Sequence, residues 1–157
     1  MNMNQNTNIE SDAQDFLQHY HGCFTNMLRW PQLEQLWQVV AQQQKSWYLY
    51  TTNKPAPVSY ATHDELVAYI KQVDLQIREQ HKYDYCGIVY ADEPESPSLI
   101  KIYHPKNLGA SCGSSGNKPI PGWILSTIKP VDLIIEQDKT DTSNWNRFTQ
   151  FMKFGQQ

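Results

Sequence analysis

The chain has 157 residues and a formal net charge of −3. A chain of that length suits a single domain that can bury a core without disulfides or a structural metal. The mild acidity and the lack of any Lys/Arg run argue against a protein built to grip nucleic acid through its phosphates, and no apolar run approaches the roughly 18 residues needed to span a bilayer.

Residues 1–10 are polar and Asn-rich, with neither a basic leader nor an apolar stretch behind it. They are expected to be a disordered tail before a single α+β domain over 11–157. Ser11 and Gln14 have the spacing of a capping box. Phe16, Tyr20, Cys23 and Met27 then recur at helical spacing, an apolar stripe that Pro31 ends. Leu33, Leu36, Trp37 and Val40 mark a second helix reaching about Gln44. The two helices are expected to form an N-terminal hairpin.

The aromatic, β-prone run Trp47–Thr52 reads as a strand, and the Pro-punctuated 53–60 as a loop. Thr62 and Glu65 form a second capping box. It opens the clearest helix of the chain, with Leu66, Ile70, Val73 and Ile77 on one face and Gln72 on the solvent side. Tyr85–Tyr90 and Leu99–His104 read as two strands of a hairpin whose tip carries Asp92, Glu93, Glu95 and two prolines. Ile100 and Ile102 alternate with Lys101 and Tyr103, which predicts one buried and one solvated face. Residues 123–128 and 132–136 fit either a strand or a short helix. Ser143 has the position of a cap for an amphipathic C-terminal helix. The fold expected is α+β: a helical hairpin, an antiparallel sheet of three to four strands with a helix packed on one face, and a terminal helix.

The run 105–122 is a loop by composition, and a loop this long inside a compact domain is often functional. It holds Gly109, Gly113, Gly116 and Gly122, four of the seven glycines. Its backbone N–H groups, with Ser111, Ser114 and Ser115 and the charge of Lys118, are candidates for holding an anion in residues 107–118. The phosphate signatures GxxxxGK[ST] and GxGxxG are absent, and the bare GxxG from Gly113 to Gly116 precedes a proline rather than a helix start. Cys112 lies among these glycines, and His104 ends the strand that feeds the loop. A thiol beside an imidazole is the general form of a cysteine nucleophile. The alternative is a loop ordered by Leu108, Ile120 and Trp123, with Cys112 packed beneath it.

The three cysteines, Cys23, Cys86 and Cys112, include no CxxC pair and are an odd number, which points to free thiols and a reducing compartment. A cytoplasmic location is expected, although export by a specialised secretion system would leave no different mark. His19, His21 and Cys23 would share a face on a strand, but on a helix His21 turns away, so no metal site is assigned. Nothing calls for a cofactor.

Five Trp and nine Tyr exceed what a core readily absorbs, since each indole N–H needs a partner. Trp37 and Trp47 fall in apolar-patterned segments and are expected in the core. Trp145, Phe148, Phe151 and Met152 line one face of the terminal helix and are candidates for contacting another protein. The leading functional expectation is a protein-binding or adaptor module without catalytic activity, acting on a protein partner rather than on nucleic acid or membrane. The second is an enzyme or small-ligand protein centred on Cys112, His104 and the Gly/Ser loop.

Overall fold

The computed structural model describes residues 3–108 and 119–133. The elements in chain order are α1 (Met3–Tyr20), β1 (Thr25–Asn26), α2 (Trp30–Gln42), β2 (Tyr48–Thr51), α3 (His63–Gln80), β3 (Val89–Ala91), β4 (Leu99–Ile102) and β5 (Trp123–Ser126), with a short 3-10 turn at Pro105–Asn107. The strands form one five-stranded antiparallel sheet in the order β1-β3-β4-β5-β2.

Side-chain alternation divides this sheet between two cores. Ala91, Ile100, Ile102, Trp123 and Leu125 point toward α2 and α3, where they meet Leu33, Leu36, Trp37, Val40, Leu66, Ile70, Val73 and Ile77. Tyr50, Leu99 and Ile124 point the other way and meet Phe16 of α1 and Leu133. The expectation of one solvated face is therefore corrected, because α1 and the 128–133 segment cover the second face. Removing a side chain such as Ile77 from water contributes about 1.5–3 kcal/mol, and Ile77 is fully buried.

The capping box at Thr62 forms as its spacing predicts. The Glu65 N–H donates to Thr62 Oγ1, and the Thr62 N–H donates to Glu65 Oε2. Pro31 occupies the first turn of α2, where its missing N–H costs nothing. The core positions expected in both helices are buried, as are Trp37 and Trp47.

The N-terminal helical hairpin is corrected. α1 already includes residues 3–10, assigned above to a tail, and ends at Tyr20, where the Gly22 N–H turns back to the His19 carbonyl. The chain then pairs as β1 with β3, and the Met27 N–H continues that ladder to the Val89 carbonyl. The apolar stripe is thus cut in two. Phe16 serves the core under α1, Met27 serves the core under α2 and α3, and Cys23 is exposed rather than packed. The expected C-terminal helix lies outside the described residues.

Candidate functional site

His104 is the proposed-site residue that falls within the described chain. Tyr103 still pairs through its N–H with the Ile88 carbonyl. Pro105 then holds His104 in an extended conformation, with φ −65° and ψ 143°. The Asn107 N–H closes the turn on the His104 carbonyl at 2.9 Å. The sheet therefore fixes the backbone on one side of His104 and a proline turn fixes it on the other.

The imidazole lies over the start of β5. Gly122 extends the ladder there: its N–H donates to the Ile102 carbonyl at 2.8 Å, and its carbonyl accepts from the Thr52 N–H at 3.1 Å. The His104 ring also meets the Trp123 indole, with centroids 4.6 Å apart at 49°. Burial, and secondarily the nearby Lys106 charge, push the His104 pKa below the ordinary histidine value. At neutral pH the ring is uncharged, with one nitrogen to donate and one to accept.

Around this ring is a cleft of about 390 Å³ between the end of β2, α3 and β5. Such a volume is within the roughly 300–1,000 Å³ typical of small-ligand sites. Tyr69, Gln72, Val73 and Gln76 come from α3 at spacings of three, four and seven, so they share one helix face. Asn53 and Lys54 come from the turn after β2, which the Lys54 N–H closes on the Thr51 carbonyl. Tyr69 and Thr51 share a hydrogen bond of 3.1 Å, and burial drives the Tyr69 pKa up to about 12. The phenol thus stays neutral and anchors the wall. Among the described lining residues none is acidic, and Lys54 is the one full cation. The chemistry offered is a neutral imidazole, amides, hydroxyls and an ammonium against an indole floor.

The other catalytic candidate, Cys112, and the predicted ligand-binding residues Ser111, Gly113, Ser114, Ser115, Gly116 and Lys118 lie outside the described residues. So do Trp145, Phe148, Phe151 and Met152. The pairing of Cys112 with His104 is therefore not among the contacts described. Sequence reasoning missed Gln72, Gln76, Tyr69 and Trp123 as site residues. The available signal is the polar i, i+4 pair Gln72 and Gln76, of which Gln72 is placed on the solvent side by the apolar repeat alone.

A larger cavity of about 660 Å³ includes His19, Cys23 and Asp92. Here His19 Nε2 meets Asp92 Oδ2 at 2.7 Å, while Asp92 Oδ1 accepts the N–H groups of Glu93, Ser98 and Leu99. Burial opposes ionisation of Asp92, but these hydrogen bonds together hold its carboxyl below the usual range. The pair fastens the C-terminus of α1 to the β3–β4 turn, which accounts for the arrangement without a chemical role. No group of three or more His, Cys, Asp or Glu side chains among the described residues is placed to hold a metal ion. No described helix is long and apolar enough to cross a membrane.

Compared with known proteins, the chain matches no family model, no curated protein and no solved structure.

Proposed function

We propose that the protein binds a small organic anion, a carboxylate with an apolar part, in the cleft between α3 and Trp123. The observation that carries this reading is the cleft around His104 and Trp123, whose rings meet at 4.6 Å and whose described lining contains no acid and one lysine. Lys54 supplies the attraction, and the side-chain amides of Gln72 and Gln76 with the His104 N–H supply directional donors. Trp123 and Val73 give the apolar part of the ligand a surface to cover. The reading takes His104, expected as a catalytic partner of Cys112, as a ligand-binding residue instead, and centres the site on α3 and β5 rather than on residues 107–118. Binding alone accounts for these features, and no nucleophile is invoked.

The test is an NMR titration of the whole protein with acetate, succinate and benzoate, set against alkylamines of matched size. The carboxylates are expected to shift the Trp123 indole N–H and the Gln72 and Gln76 side-chain amides, and Lys54→Ala is expected to weaken that response. Equal response to the amines, or shifts confined to other faces, would overturn the reading.

The protein-binding expectation for Trp145, Phe148, Phe151 and Met152 remains a proposal about residues outside the described part. A separate observation favours a protein partner on a different face.

A further inference from the structure

Of the large hydrophobic side chains that remain exposed, Tyr83 and Tyr85 lie against each other, and Leu28 is on the segment that pairs beside them. Leu28 is 57%, Tyr83 58% and Tyr85 45% exposed, whereas Trp37, Trp47 and Trp123 are all at most 8% exposed. A fold that buries most of its indoles while leaving these side chains in water carries a surface suited to covering. The cluster is rigidly built. His81, itself buried, donates from Nε2 to the Cys86 carbonyl at 2.6 Å. Its ring meets Trp30 at 5.3 Å, Tyr83 at 5.5 Å and Tyr85 at 6.0 Å, and the two tyrosines lie 5.4 Å apart. The Trp30 indole N–H donates to the Tyr83 carbonyl at 3.2 Å. Backbone bonds from Cys86 to Leu28 and from Gly87 to Met27 fix the strip behind them. Its rings are thus ordered before any partner arrives, which reduces the entropy cost of binding.

Three cations, Lys82, Lys106 and Arg29, border this face. Lys82 and Lys106 line a groove of about 330 Å³ together with Gln80, His81, Tyr83 and Pro105. Arg29 is exposed and pairs through its backbone with Tyr85. Among the described residues Arg29, Lys82 and Lys106 form no ion pair. Two acids, Glu79 and Asp84, fall in the run from Arg78 to Cys86. Arg78, by contrast, is engaged over Trp30 at 4.5 Å and with Asp74 at 2.8 Å.

We infer that this face docks an acidic peptide segment of a partner protein, with aliphatic or proline side chains on Tyr83 and Tyr85 and carboxylates toward Lys82, Lys106 and Arg29. Exposed tyrosines give rigid contact area at low entropy cost, and opposite charge sets the register. Single-stranded nucleic acid also uses aromatics and cations. Three cations on a chain of net charge −3 are a poor track for a phosphate backbone, and Leu28 provides no stacking surface. The site is on different elements from the His104 cleft and stands independently of the carboxylate reading.

The experiment is an NMR titration of the whole protein with a short capped peptide of glutamate, proline and leucine. Parallel titrations use the same peptide with lysine in place of glutamate, and oligothymidine. The acidic peptide is expected to perturb the resonances of Arg29, Lys82, Tyr83, Tyr85 and Lys106. Tyr83→Ser and the double variant Lys82→Glu/Lys106→Glu are each expected to weaken it at least about tenfold, as loss of an interface anchor does. These side chains are exposed, and an unchanged thermal melt checks that the variants fold. The proposal is overturned if the lysine peptide binds equally well, if oligothymidine is the one that perturbs this face, or if the acidic peptide leaves these resonances unmoved.

Discussion

His104 rests on Gly122 so closely that a β-carbon at position 122 would displace its ring. A β-carbon built at Gly122 would stand 2.6 Å from His104 Nε2 and 2.9 Å from Cδ2. Real side chains do not approach so near, so the pair is matched: the imidazole reaches Trp123 because position 122 has no side chain. Gly122→Ala is expected to push the ring off the indole, and overpacking of this kind typically costs about 1–3 kcal/mol. Thermal or urea unfolding measures the loss, and the His104 ring resonances should move with it. A variant with the wild-type midpoint and unshifted His104 resonances would show that the contact does not hold the ring.

α3 carries the wall of the cleft and one side of the larger core. Ile77→Ala removes a fully buried side chain and is expected to cost about 2–5 kcal/mol. Ile70→Ala should fall in the same range, since Ile70 belongs to the same buried cluster. Denaturant midpoints check both. If Ile77→Ala unfolds at the wild-type urea concentration, α3 is not packed as described.

The helix α3 was legible because two independent signals, the Thr62–Glu65 cap and a four-residue apolar repeat, fall on the same segment. The β3–β4 hairpin was legible from alternation and its proline-rich tip. β1 was not, because Thr25–Asn26 is too short to carry a period, and long-range pairing with Tyr90 and Ala91 decides it. The false stripe from Phe16 to Met27 arose because both ends are buried, in cores on opposite faces of one sheet. At the site, His104 was found from its place before a glycine-rich loop. Its partners were not, because Gly122 and Tyr69 become neighbours of His104 only when β2, β5 and α3 assemble. Gly87 shows the same limit: its φ of 74° bends the run read as one strand from Tyr85, so pairing with β4 begins at Val89.

The Asp92 clasp makes stability depend on acid in a defined direction. Its folded pKa lies below the ordinary carboxyl value of about 3.9. Its contribution is therefore complete above that value and is lost as pH falls through the lower folded-state pKa. Asp92→Asn should lower stability at neutral pH and flatten the decline below about pH 4. Melting temperatures of both proteins across that window measure it, and parallel curves would remove Asp92 from the account.

The coupling between His104 and a bound anion is the point on which the carboxylate reading is tested most directly, by NMR titration of the ring protons. In the free protein the midpoint should lie below the ordinary histidine value of about 6.5. The neutral ring's contribution to stability is then present above that value and declines as pH falls toward the folded-state midpoint. Saturating the cleft with the tightest-binding of the three carboxylates should raise the midpoint, because an adjacent anion favours the imidazolium. By linkage the same anion should bind more tightly at lower pH. A midpoint that the carboxylate leaves unmoved or lowers would contradict the assignment of this cleft as an anion site.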